Sequence, residues 1–144
     1  MAYFSDGMPR PEPNRDDEGF WRGCAEQRLQ FQTCADCGTC RHPPIAVCAK
    51  CRSVRIAWTP TAGRAQIYTY TVIHHAAHPA VAARLPYVTA VVSFDDIPGV
   101  RLLTNITHCD PANVRIGMAV ELWWDDLGDG LFLPLFRPPT GASA

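Results

Sequence analysis

The sequence predicts a mainly β protein with an N-terminal helix, a rubredoxin-like zinc ribbon and then a five-stranded OB-fold barrel. Two CxxC pairs, Cys34-Ala35-Asp36-Cys37 and Cys48-Ala49-Lys50-Cys51, stand ten residues apart and mark the ribbon. A succession of short β-branched and aromatic runs, broken by turn residues, marks the barrel. The 144 residues are 47% hydrophobic and 19% charged, which suits one compact unit with a modest core.

The organisation expected is a tail and helix over 1–31, the ribbon over 32–58, and the OB-fold domain with a C-terminal tail over 59–144. Residues 1–15 are rich in Pro and charge without periodicity, which reads as an extended tail, disordered or draped over a partner. Asp16 and Asp17 are N-cap candidates. Phe20, Trp21, Cys24 and Ala25 then recur at helical spacing to about Gln27. Leu29–Gln32 alternates as a strand, Pro43-Pro44 excludes a helix between the cysteine pairs, and Ser53–Trp58 reads as a strand. The barrel runs are Ala65–Ile73, Tyr87–Phe94, Val100–Ile106, Ala119–Trp124 and Leu131–Phe136. Turn signals at Asp96–Gly99 and Leu127–Gly130 separate two pairs of them. Asp110–Val114 reads as a capped helical turn with Pro at its first position. Such an insertion after the third run fits an OB barrel, with an open sandwich as the rival. Thr140–Ala144 reads as a frayed end.

Composition also bounds function. A net charge of −1 argues against nucleic acid, whose phosphates call for a basic face. No apolar run of about 18 residues is present to span a membrane, and the N-terminus lacks a secretory pattern. A cytoplasmic location is therefore expected. There, CxxC pairs read as metal ligands or redox groups rather than disulfides.

Two residues between thiolates let both sulfurs of a pair face one ion. Four thiolates close a tetrahedron that selects zinc, and the metal supplies much of a ribbon's folding energy. Cys34, Cys37, Cys48 and Cys51 are thus the expected ligands of a structural zinc. A redox pair would need a thioredoxin-like βαβ pattern, which is absent. Rubredoxin-type iron uses the same thiolates, but Arg52 rather than Gly follows the second pair. Cys40 and His42 are read as spectators, and Cys24 and Cys109 as small buried hydrophobes.

The order of these features resembles the zinc-ribbon plus OB-fold proteins once described as a domain of unknown function and now associated with acyl-CoA. The resemblance rests on Phe20-Trp21-x-Gly23, Leu29-x-x-Gln32-x-Cys34-x-x-Cys37-Gly38, Pro43-Pro44 and Cys48-x-x-Cys51. In the barrel it rests on Gly63-x-x-x-x-Tyr68-x-Tyr70-Thr71, Pro86-Tyr87 and Val114–Glu121, and it covers about residues 18–137. Ile45 and Ala49 depart from the family's Arg and Pro, and neither is a ligand. The resemblance implies an accessory subunit that docks to a thiolase-fold enzyme, of thiolase or retro-aldolase type. That subunit helps form the acyl-CoA channel in lipid, steroid or aromatic acyl-CoA degradation. The alternatives are a subunit of a hot-dog-fold enoyl-CoA hydratase or a single-stranded nucleic-acid module stacking bases on Tyr68, Tyr70 and Tyr87. A rubredoxin-like electron carrier ranks behind both.

A coenzyme A thioester ligand brings phosphates, for which Arg64, Arg84, Arg101, Arg115 and Arg137 are candidates. Arg84 and Arg101 are preferred, because each borders a strand end near a loop. His74 and His78 stand at i,i+4, but Pro79 ends the segment and no partner orients a base. With His75 they read as a polar loop at the barrel mouth. Asp125, Asp126 and Asp129 read as hairpin-turn residues without the register of a calcium loop. Adjacent Trp123 and Trp124 face opposite sides of a strand, one for the core and one as an anchor for a partner. Phe20 and Trp21 admit the same split. The sequence shows no nucleophile–base pair, so no catalytic residue is assigned.

Overall fold

The computed structural model describes residues 2–141. The one α-helix among the described residues, α1 (Glu18–Ala25), buries Gly19, Phe20, Gly23 and Cys24 on one face. Asp17 occupies the N-cap position but makes no capping bond, contrary to expectation. Its carboxylate instead accepts the Asn14 backbone N–H at 2.7 Å. The helix can lie close on the ribbon sheet because Gly19 and Gly23 carry no side chain. A Cβ at Gly19 would meet the Trp58 indole at 2.3 Å, and one at Gly23 the Arg28 carbonyl at 2.6 Å.

The ribbon sheet has order β2-β1-β3 and is antiparallel: β1 (Gln30–Cys34), β2 (Cys40–Arg41) and β3 (Ile56–Pro60). The strand expected at Ser53–Trp58 starts three residues later, since Ser53 is committed to the second cysteine turn: its carbonyl accepts the Cys48 N–H. The five expected barrel strands are present: β4 (Arg64–Ile73), β5 (Tyr87–Phe94), β6 (Arg101–Ile106), β7 (Ala119–Asp126) and β8 (Phe132–Arg137). They close in the order β4-β5-β6-β8-β7, with β4 pairing β7. Among the described residues only β6 and β8 pair in parallel, as the strand order of an OB-fold requires. Closure excludes the open sandwich.

Alternation sorts each strand into two faces. In β5, Val88, Ala90, Val92 and Phe94 point inward; in β6, Leu102, Thr104 and Ile106 do. Phe31 of the ribbon sheet, fully buried, packs at a tilt against Phe94 at 5.1 Å, and Phe94 meets Phe136 edge-on at 5.9 Å. Helix, inner ribbon strand and barrel therefore share one core.

Two short 3₁₀ turns complete the fold. Asp110 caps Pro111–Asn113 through the Ala112 N–H, as the sequence indicates. The other, Pro79–Arg84, was not legible; His78 caps it, its Nδ1 accepting the Ala80 N–H at 3.1 Å.

The N-terminal segment departs most from expectation. Residues 2–10 are not a free tail but lie across the chain's own barrel. The Tyr3 N–H donates to both Asp125 carboxylate oxygens at 3.1 Å, and Phe4 meets Tyr87 edge-on at 5.2 Å. Arg10 pairs with Asp129 at 3.1 Å. Burial of two aromatic rings offsets the ordering of a segment without periodicity. At the other end, Thr140 is tied to Glu121 through its N–H and hydroxyl, and residues 142–144 lie outside the described residues.

Candidate functional site

The four cysteines of the two CxxC pairs converge. Each pair sits on a tight turn in which the residue after the second cysteine is left-handed: Gly38 at φ 75° and Arg52 at φ 64°. The Gly38 N–H donates to the Cys34 carbonyl and the Arg52 N–H to the Cys48 carbonyl, each at 2.9 Å. All four Sγ atoms lie within 4.8 Å of one another, with Cys34–Cys51 at 3.5 Å and Cys37–Cys48 at 3.6 Å. A tetrahedron of zinc–sulfur bonds of about 2.3 Å has sulfur edges of about 3.8 Å, so the cluster has the size of a zinc site. Cys34 and Cys48 are buried, Cys37 and Cys51 exposed.

The electrostatics agree. The Cys37 backbone N–H lowers the Cys34 thiol to about 6, and the Cys51 N–H lowers Cys48. At Cys51 the Ser53 N–H acts in the same direction but is outweighed by the shared proton with Cys34 and its neighbours, which pushes the thiol up to about 12. Four thiols this close cannot all ionise without a cation between them. Four thiolates also leave no open position for substrate, so the geometry is that of a structural staple.

Cys40 and His42 stand apart from the cluster, as expected. Cys40 Sγ lies 3.7 Å from the Thr33 hydroxyl, and the His42 ring packs between Phe20 and Phe31 at 5.0 and 5.3 Å. Cys24 is fully buried and burial pushes its thiol up to about 12, while Cys109 is half-buried. His74 and His75 are exposed and His78 is spent on its cap, so the three histidines form no ligand set.

Arg84 and Arg101 are not brought together. Arg84 is held by the N-terminal segment: its Nε donates to the Tyr3 carbonyl at 2.5 Å and its guanidinium lies 4.5 Å over the Tyr3 ring. Arg101 starts β6 at the opposite end of β5, opposite Ser93, and stacks 3.8 Å over the exposed Tyr68. Six residues of β5 separate the two ends, about 20 Å at strand spacing. Of the other arginines, Arg115 donates to the Ala112 and Val114 carbonyls and Arg137 faces Glu121. The three tyrosines do not form one platform either. Tyr70 donates its hydroxyl to the Val114 carbonyl and Tyr87 is covered by Phe4, which leaves Tyr68 exposed.

Asp125 is the functional-type residue that sequence reasoning misplaced. It is 2% exposed on β7 rather than in the turn, and burial raises its carboxyl above the ordinary value. Asp126, expected in the turn as well, is the exposed last residue of β7, opposite Phe132, while Asp129 occupies the turn. Trp124 packs on the core, whereas Trp123 is half-buried with its Nε1 donating to the Thr107 hydroxyl at 2.8 Å. That hydroxyl also meets His108 Nδ1 at 2.7 Å, a hydroxyl–imidazole pair the sequence did not announce. Thr107 is 1% exposed, so no substrate reaches it. A groove of about 390 Å³ opens where α1 and Pro43-Pro44 meet β6 and β8, lined by Trp21, His42, Leu103 and Asn105 among others.

Two family models match the chain: "ChsH2, rubredoxin-like zinc ribbon domain" over residues 21–55 and "ChsH2, C-terminal OB-fold domain" over 58–125. A "DUF35 domain-containing scaffold protein" of Methanocaldococcus jannaschii is 35% identical over 103 residues, 70% of this chain and 71% of the relative. A "Probable enoyl-CoA hydratase alpha subunit" of Thermomonospora curvata is 42% identical over 130 residues, 90% of this chain. This chain spans only 40% of that relative's length. Among solved structures, a chain of an "Ltp2-ChsH2(DUF35) aldolase" superposes with a TM-score of 0.82 at 41% identity, covering 90% of this chain and 98% of that one.

Proposed function

The chain belongs to the DUF35 family of zinc-ribbon and OB-fold proteins, and we propose that it is an accessory subunit of an acyl-CoA enzyme. It docks to a thiolase-fold partner of thiolase or aldolase type and contributes a wall of its acyl-CoA channel. The observation that carries this reading is the match over nearly the full length of a chain from an aldolase assembly. The chain's own chemistry supports it. The metal cluster is closed to substrate, and in the one hydroxyl–imidazole pair among the described residues the Thr107 hydroxyl is buried.

Cys34, Cys37, Cys48 and Cys51 hold the structural zinc in this reading, which fixes the ribbon against the barrel. A hydratase partner is the second reading, favoured by the name of the Thermomonospora curvata relative. No helix among the described residues is long and apolar enough to cross a membrane, which suits an assembly in the cytoplasm. The purified chain, assayed alone on acyl-CoA substrates, shows no cleavage or hydration and raises the activity of its partner when added. Turnover by the chain alone would overturn the accessory role.

A further inference from the structure

Resting on the acyl-CoA reading, we propose that the outer face of β5 and β6 is the thioester's track. Arg101 and Tyr68 take the phosphate end, and the groove beside Trp21 takes the acyl end. Strand alternation puts Arg101, Leu103 and Asn105 on one side of β6, away from the core. Their spacing spans about 14 Å. On β5 the residues directly opposite are Ser93, Val91 and Thr89, also outward. The face thus begins with a cation on an aromatic ring, continues through an apolar step at Val91 and Leu103, and ends at a groove.

Each part suits one part of the ligand. Arg101 is exposed, is stacked on Tyr68 and has no carboxylate partner among the described residues, so its N–H fork is free to bind a phosphate. Tyr68 faces outward by alternation with the buried Ala65 and Ile67; it is the unpaired residue of the irregularity between Ile67 and Thr69 and is 48% exposed. Leu103 is 69% exposed on a strand whose alternate residues form the core, which is costly to leave uncovered.

Beyond it, the groove of about 390 Å³ is walled mainly by apolar side chains, and His42 places a buried Nδ1 without a partner beside it. That volume falls in the range of small-molecule sites. Asp16 and Asp17 sit on the groove's rim and disfavour an anion there. The charges therefore set the direction: phosphates at Arg101, the neutral acyl body in the groove, the thioester over Leu103 and Asn105 where a partner's reactive groups can face it. Arg84, engaged by Tyr3 at the other end of β5, lies off this track.

The test is isothermal titration of the zinc-loaded full chain with coenzyme A and with 2-naphthoyl-CoA. Arg101→Ala and Tyr68→Ala are expected to weaken both probes about tenfold. Trp21→Ala and Leu103→Ser are expected to weaken the naphthoyl thioester about tenfold and to spare coenzyme A. Arg22→Ala, on the far side of α1, changes neither. Leu103→Ser, at an exposed position, keeps the test decisive if Trp21→Ala fails to fold. If the thioester binds but tolerates Arg101→Ala and Tyr68→Ala, the track is wrong and the acyl-CoA reading stands. If neither the chain nor its complex with its partner binds either probe, both fall.

Discussion

Removing the metal should open the ribbon and leave the barrel folded. The perturbation is a strong chelator, or Cys37→Ser, at a site where four Sγ atoms lie within 4.8 Å of one another. Structural zinc contributes about 10–16 kcal/mol in ribbons of this type, as much as the whole stability of a small domain at about 5–15 kcal/mol. The ribbon has little else. Its outer part exposes Ile45, Val47, Val54 and Ile56, and of its cysteine turns only Cys34 and Cys48 are buried. By contrast, Phe31 and Leu29 belong to the core shared with the barrel.

The break should therefore fall beyond β1. Arg41, Lys50, Arg52 and Arg55 lie in the part that opens, and trypsin cuts after each. When opening is fast, cleavage follows the open population, and losing even about 3 kcal/mol raises that population about a hundredfold. Limited trypsin digestion read by mass spectrometry should show these cuts appearing at least about a hundred times faster after chelation. The fragment from β4 to β8 should survive. An unchanged digestion pattern with the metal gone, or simultaneous loss of the barrel, would refute the assignment of the metal as the ribbon's principal support.

Two further outcomes follow from single positions. Gly63 has φ 80° and a Cβ there would meet Leu122 Cβ at 2.8 Å, so Gly63→Ala should cost about 1–3 kcal/mol in urea unfolding, while an unchanged midpoint contradicts the close approach. Burial raises the Asp125 carboxyl, and the Tyr3 N–H only partly offsets it. The folded state then binds the proton more tightly than the unfolded chain, so this group's contribution falls as pH rises from the ordinary 3.8 through the raised value. Asp125→Asn should remove that slope and gain on the wild type above it; parallel pH–stability curves for the two proteins would count against the burial argument.

Much of the architecture was legible because its signals are local. The cysteine spacing fixed the ribbon, and two-residue alternation placed all five barrel strands within a few residues of their positions. What escaped depends on contacts far along the chain. Tyr3 and Phe4 carry no periodic signal, and they find Asp125 and Tyr87 only because the barrel brings those residues to one side. The same contact accounts for Asp125, which stands just ahead of the turn signal Leu127–Gly130 while its partner is 122 positions away. His78 read as part of a polar loop because a cap is invisible until the turn it caps is known. At the outer face of β6, the sequence offered Arg84 and Arg101 as equals. Packing separates them, since Tyr3 holds Arg84 while Arg101 rests on Tyr68.

The accessory role stands or falls most directly on co-purification: a tag on the full chain in its native host, with bound proteins identified by mass spectrometry and metal quantified. The account predicts an acyl-CoA enzyme of thiolase fold in fixed stoichiometry, with about one zinc per chain. Recovery of the chain alone, or with nucleic acid and no such enzyme, would contradict it.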